Sequence, residues 1–450
     1  MNMKFNLWKI TPVQLIVLTY LIACLVSSFL LMIPAAHRPG VELSYLDSLF
    51  TAVSAISVTG LTTVNTAETY SPFGVVMLMA MIQFGGIGFM SLGTFLWMAT
   101  GRRIGIQRRR MIMIDQNRSD LAGLVRLARD ILLLTLLIEM VGALLLGTYF
   151  YITEDYGWDA FYYGAFASLS AFTNAGFDIF GNSLADFADD YFVQILHMIL
   201  MTAGAIGFPV LIEAREWIRS QNRSRFRFSL FTKITVTTFF TLMLLGLVMI
   251  WLLERQHFYA DMSWHQSFFY SFFNSATTRS AGLSTMDVGE YTTPTQLALS
   301  FLMFVGASPS SVGGGIRTTT LAVIVLSLFS YARGQKHIRL FRRELIQEDV
   351  QKASVVFVTA ILLVSTSLLL LLTMEGPRHT LMELIFEVSS AFGTTGLSMG
   401  ITGDLTAPGK LMIILLMFIG RIGILSLLFL LRPDRPPENF RYPREQVIIG

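Results

Sequence analysis

The sequence predicts an all-α polytopic membrane protein, and three observations carry that prediction. Hydrophobic residues make up 53% of the 450 residues and charged residues only 14%, against about 25% charged in a soluble domain. Eight apolar runs stand out, at 12–33, 72–99, 131–152, 191–212, 234–253, 295–330, 353–374 and 411–431. Each reaches the ~20 residues that cross a bilayer. The segments between the runs alternate between basic and basic-poor, which is the signature of membrane topology.

The first run follows Lys4 and Lys9, is too long for a signal-peptide core, and reads as a retained helix. Glu139 is the single formal charge in the third run, while Arg317 interrupts the sixth and Arg421 the eighth. On one side of the membrane the connecting segments and termini carry 26 Lys and Arg. On the other side lie only Arg38, Arg255, Arg378 and Lys410. The positive-inside rule then places both termini in the cytoplasm and makes the number of crossings even. Basic loops can also bind nucleic acid, but their alternation with apolar spans favours topology. The single cysteine, Cys24, excludes an internal disulfide, and no CxxC metal pattern is present. Six scattered histidines without HExxH or Ser/His/Asp spacing argue against an enzyme.

The basic-poor segments share one string. It reads "LFTAVSAISVTGLTTV" at 49–64, "AFASLSAFTNAGFDIF" at 165–180, "SFFNSATTRSAGLSTM" at 271–286 and "IFEVSSAFGTTGLSMG" at 385–400. The aligned glycines are Gly60, Gly176, Gly282 and Gly396, spaced by 116, 106 and 114 residues. Six positions earlier stand Ser54, Ser170, Ala276 and Ser390. This period suits a unit of helix, re-entrant pore loop and helix. Four parallel copies would surround an axis along the membrane normal. The expected boundaries are 1–100, 101–219, 220–332 and 333–431, with a cytoplasmic tail at 432–450. A second string, "FGGIGF", "AGAIGF", "VGASPS" and "IGRIGI", lies 24–28 residues after each glycine and reads first as close helix packing.

A short segment that enters and leaves on one face cannot span the bilayer. Irregular backbone at that depth survives only in protein or lining water. Four such segments would present a ring of carbonyls, able to replace the hydration shell of a cation. Glycine permits the positive φ that aims a carbonyl inward. No carboxylate ring accompanies them, which points to a monovalent cation. The expected ring is Val58, Thr59, Gly60, Asn174, Ala175, Gly176, Ser280, Ala281, Gly282, Thr394, Thr395 and Gly396, acting mainly through backbone. Arg279, three residues before Gly282, is expected to point behind the ring, bracing carbonyls or pairing with Asp287 or Glu290.

The third unit departs from the others with "GASPSSVGGGIRTTT" at 306–320. Pro309 and Gly313, Gly314 and Gly315 cannot continue a helix cheaply. The chain should break there, with Gly306, Ser308, Ser310 and Ser311 facing a cavity. No Gly-Lys-Ser/Thr follows, so a phosphate-binding loop is excluded. Arg421 in the fourth unit occupies the place of Gly86, Ala205 and Ala307. Under a pore it would repel cations or hold the loop through carbonyls, the alternative being an ion pair with an acid such as Glu139.

These strings, together with "FIGRIG", resemble the Trk/Ktr/HKT cation transporters over the whole chain, closest to the bacterial Ktr membrane subunit. The resemblance implies K⁺ as the transported ion, a filter whose four glycines accompany K⁺ preference, and an intramembrane loop obstructing the pore from the cytoplasmic side. It also implies a homodimer in the bacterial cytoplasmic membrane, a cytosolic ring of nucleotide-binding regulatory subunits, and no organic cofactor. Sodium dependence, or a Na⁺- or H⁺-coupled carrier, stays the alternative, although parallel repeats and few mid-membrane acids weigh against a carrier. The C-terminal "RYPREQVIIG" is expected at the dimer interface.

Overall fold

The computed structural model describes residues 11–88, 124–335 and 337–431, with isolated positions 443, 445 and 448. Residues 89–123 and most of the C-terminal string lie outside the described residues.

Four long helices carry the apolar exterior: α1 (Pro12–Leu31), then α4 (Leu124–Thr153), α8 (Leu230–Glu254) and α12 (Gln347–Glu375). Each is long and apolar enough to cross a membrane. Their outward faces, with Phe29, Leu144, Leu244 and Leu362 exposed, suit lipid rather than water. Each long helix is followed by a short buried one: α2 (Tyr45–Ser57), α5 (Ala160–Thr173), α9 (Trp264–Thr277) and α13 (Leu381–Gly393). Ser44 caps α2 through the amide of Asp47, and Thr380 and Glu383 form a capping box on α13. Three serines fasten short helices to long ones. Ser48 donates to Ser28 O at 2.7 Å, Ser168 to Glu139 O at 2.8 Å, and Ser275 to Met243 O at 2.6 Å.

A third set returns through the protein: α3 (Pro72–Ile87), α6 (Tyr191–Ala205), α10 (Thr293–Val305) and α14 (Ala407–Ile422). Two of them are stapled at their start by buried carboxylates from the preceding long helix. Glu254 accepts from the Thr292 amide at 2.9 Å and hydroxyl at 2.6 Å. Glu375 accepts from the Thr406 amide at 2.9 Å and from its hydroxyl. A carboxylate at a helix N-terminus satisfies free N–H groups and meets the positive dipole end.

The sequence offers 191–212 and 411–431 as single apolar runs, and the structure bends each of them. The chain bends by 106° between α6 and α7 (Phe208–Arg219), and by 97° between α14 and α15 (Ile424–Leu431). Gly207 and Gly423 sit at these bends with φ of 101° and 85°, and Gly88, ending α3, has φ 88°. What sets the third unit apart is length: twelve residues separate α10 from α11 (Thr318–Ala332). A two-stranded hairpin, β1 (Arg339–Leu340) with β2 (Arg343–Glu344), follows before α12.

Packing between the sets closes a cycle. Helix α3 packs on α5, α6 on α9, α10 on α13, and α14 back on α2. Glycines of the second string make this approach close. A Cβ on Gly85, Gly204 or Gly420 would collide with the carbonyl oxygens of Ile56, Phe172 and Phe392 respectively. Gly204→Ala is therefore expected to cost about 1–3 kcal/mol of stability through overpacking. Thermal unfolding in detergent checks this, and an unchanged midpoint would show that α6 can shift freely.

Candidate functional site: a ring of glycines and the strap beneath it

Three of the four short helices, α2, α5 and α13, end in the same left-handed turn, and α9 ends differently. In α2, Thr59 N donates to Ser54 O at 2.8 Å and Gly60 N to Ser54 Oγ at 3.0 Å. In α13, Thr395 N donates to Ser390 O at 2.9 Å and Gly396 N to Ser390 Oγ at 3.0 Å. After α5, Ala175 N donates to Ser170 O at 2.8 Å, and Ser170 Oγ reaches forward to Phe177 O at 2.6 Å. Ala276 lacks the hydroxyl, and Thr277 takes over: it accepts from Ala281 N at 2.9 Å and donates to Leu283 O at 2.7 Å. Ser54 and Ser390 thus tie down N–H groups with both backbone and hydroxyl oxygens, while the hydroxyls of Ser170 and Thr277 tie down the carbonyl just past the glycine.

Two residues before each glycine the backbone enters the left-handed region. Val58, Asn174, Ser280 and Thr394 have φ of 56°, 55°, 89° and 47°. For branched Val58 and Thr394 this is an uncommon conformation, costing about 1–2 kcal/mol. Sequence reasoning missed it because nothing in those side chains announces it. The glycines themselves have φ of 94° at Gly60, 68° at Gly176, 73° at Gly282 and 97° at Gly396.

The structure brings the four glycines together. A Cβ added to Gly60 would stand 2.7 Å from Gly176 Cα, and one on Gly176 would stand 3.3 Å from Gly282 Cα. One on Gly282 would stand 2.9 Å from Gly396 Cα, and one on Gly396 would stand 3.0 Å from Gly60 Cα. The same Cβ positions meet the carbonyl oxygens of Ala175, Ala281, Thr395 and Thr59 in turn. The four segments form a closed ring of backbone in which a side chain at Gly60, Gly282 or Gly396 would collide with its neighbour, and one at Gly176 would be tight.

The side chains of Asn174 and Arg279 bond to backbone outside the ring. Asn174 donates to Met201 O at 3.2 Å. Arg279, 1% exposed, donates to Leu302 O at 2.8 Å and Thr278 Oγ1 at 3.4 Å. It braces a carbonyl; the alternative pairing with Asp287 or Glu290 is not formed, and Asp287 instead accepts from Gly289 N at 2.8 Å. A cavity of about 190 Å³ opens on one side of the ring, lined by the four glycines with Asp178 and Asp287.

On the other side the chain from Gly306 to Arg317 forms a strap. Its return leg runs back along the end of α10, with Arg317 N donating to Val305 O at 3.0 Å and Thr318 N to Ala307 O at 3.1 Å. Its outer leg is tied to the α6–α7 bend: Ser308 N to Ala205 O at 3.0 Å, Val312 N to Gly204 O at 3.3 Å, and Phe208 N to Ser310 O at 2.8 Å. Gly306, Ser310, Gly315 and Arg317 have φ of 68°, 55°, 81° and 79°, so the helix is fully interrupted. Pro309, Ser310, Ser311 and Gly315 line a second cavity of about 190 Å³, and Gly313 and Gly314 press upward against the ring residues Ser280 and Thr394.

Arg421, 9% exposed, reaches into this strap. It donates to Val312 O and Gly85 O, and more weakly to Gly86 O at 3.5 Å. Its partners are carbonyls, and the alternative pairing with Glu139 is corrected: that carboxylate accepts from Gln83 Nε2 at 2.8 Å. A guanidinium between α14, the strap and the end of α3 joins three elements with one side chain.

Comparisons agree with this architecture. The profile of the TrkH family, described as cation transport protein, matches residues 10–440. The chain is 51% identical to Ktr system potassium uptake protein D of Bacillus subtilis, covering 100% of both chains. It is 33% identical to potassium/sodium uptake protein NtpJ of Enterococcus hirae, over 98% of each. Its fold is similar to the crystal structure of the potassium transporter TrkH from Vibrio parahaemolyticus, with a TM-score of 0.74 over 96% of this chain and 87% of that one at 19% identity. A multi-pass chain matched from end to end in this way is not an enzyme: it belongs to the TrkH/Ktr family of cation transport proteins.

Proposed function

We propose that this chain is the ion-translocating subunit of a bacterial potassium-uptake system in the cytoplasmic membrane. The observation that carries the reading is the closed ring of four glycines with inward room for backbone only. In this reading the chain forms four parallel helix–pore loop–helix repeats around a pseudo-fourfold axis. The carbonyls of residues 58–60, 174–176, 280–282 and 394–396 replace the water shell of K⁺. The C-terminal ends of the four short helices contribute partial negative charge toward the ion. The cavity carrying Asp178 and Asp287 is the external mouth, and the one beneath the strap opens to the cytoplasm. The 26-to-4 distribution of basic residues supports that orientation, with both termini inside.

The strap at 306–317 obstructs the path below the ring, and Arg421 holds it there. The guanidinium is costly to bury, and its charge opposes a cation at the same level. Opening must therefore move both. The family resemblance supports a homodimer whose cytosolic face meets a ring of nucleotide-binding subunits that drive this movement. The relative named for potassium and sodium uptake supports a second reading, in which Na⁺ also passes or assists.

Expression in a cell lacking K⁺ uptake, with its regulatory subunit, is expected to restore growth on limiting K⁺. No rescue would sink the assignment. Gly60→Ser places a side chain in the ring, an overpacking of about 1–3 kcal/mol. It should lower K⁺ uptake about tenfold or more and raise Na⁺ entry relative to K⁺, read by tracer flux. Arg421→Ala frees Val312 O and Gly85 O and should raise K⁺ flux several-fold, on the order of one lost charge-assisted hydrogen bond; equal fluxes in the two chains would remove Arg421 from the obstruction.

A further inference from the structure

The strap and the ring are not separate parts in this structure. Ser280 stands two residues before Gly282, in the left-handed region with φ 89°. Its hydroxyl oxygen accepts from the strap amide Gly314 N at 3.3 Å. The same hydroxyl donates to the neighbouring ring segment, to Thr394 O at 2.7 Å, with Gly393 O at 3.3 Å. One oxygen therefore joins the third unit, the strap and the fourth unit.

Packing repeats the link. A Cβ on Gly314 would stand 2.5 Å from Thr394 Oγ1 and 2.7 Å from its Cγ2, and one on Gly313 would stand 2.6 Å from Ser280 Cβ. The strap backbone is seated directly against both side chains. Equivalent positions elsewhere in the ring lack the junction. Val58 has no polar side-chain atom, and Asn174 turns back to Met201 O. Ser280 and Thr394, each in an uncommon backbone conformation, are the two ring residues that the strap buttresses.

Hydrogen bonds in series polarise one another. A strap in place strengthens the hydroxyl's bond to Thr394 O and restrains where that carbonyl points. A strap withdrawn removes the donor and the packing together, and frees the Thr394 carbonyl to reorient. Linkage is reciprocal, so ion occupancy at the ring biases the strap in turn. We propose that Ser280 is a positioning residue that couples the strap to the ring, so that ion discrimination depends on whether the strap is seated. This rests on the reading of the ring as filter and the strap as obstruction.

The test is a double-mutant cycle on the full-length chain reconstituted in lipid vesicles, reading the K⁺ to Na⁺ flux ratio. Ser280→Gly removes the hydroxyl while accepting the positive φ without strain, and Ser280→Ala serves if that chain fails to elute as wild type on size exclusion. Arg421→Ala loosens the strap. With Ser280 present, Arg421→Ala should lower the ratio at least about fivefold, the lower range of coupled sites. Without the hydroxyl, the same substitution should leave the ratio unchanged, a non-additivity that a purely structural role for Ser280 does not produce. Equal shifts in both backgrounds, or raised K⁺ flux with an unmoved ratio in both, overturn the coupling and leave the transport reading standing. Absence of K⁺ flux in the unsubstituted chain overturns the transport reading, and the coupling with it.

Discussion

Four glycine backbones approach one another so closely that a Cβ would collide at three of them and crowd the fourth, and the rest of the molecule is arranged to permit that approach. Backbone that is neither helix nor sheet survives inside a membrane protein only when its polar groups are satisfied internally or face water. The N–H groups are satisfied by Ser54, Ser170, Thr277 and Ser390, each one turn or so back in its own short helix. The short helices are buried because their ends must meet at the centre, and the long helices are exposed because they shield that centre from lipid.

The same constraint explains the broken returning helices. A straight helix after each glycine would run past the ring without enclosing space beneath it. Bends of 106° and 97°, and the twelve-residue strap in the third unit, turn the chain aside at one level. Arg421 sits at that level and spends its donors on carbonyls of the strap and of α3. Burying a guanidinium without a carboxylate is expensive. Its carbonyl partners on the strap and α3 offset part of that cost.

Much of the site was legible in the chain. The glycines at Gly60, Gly176, Gly282 and Gly396 and the interruption around Pro309 were identifiable from alignment and composition. The serines six residues before three of the glycines were visible too, although their capping role was not. The breaks at Gly207 and Gly423 were hidden because apolar sequence continues through them, so hydropathy reads one span where the backbone makes two helices. The left-handed turns at Val58 and Thr394 were hidden for a different reason. Branched residues resist that conformation, and only the surrounding ring imposes it.

By itself the sequence determined the membrane class, the alternation of basic and basic-poor segments and the fourfold recurrence of a glycine string, because hydropathy, charge and repetition are properties of the chain. The tertiary structure alone decided who touches whom. It chose Gln83 for Glu139, Leu302 O for Arg279, and Val312 O with Gly85 O for Arg421. It also set Ser280 between the strap and Thr394. Those contacts join residues tens to hundreds of positions apart. They exist only because helix packing closes a cycle, and no local pattern in the chain encodes that closure.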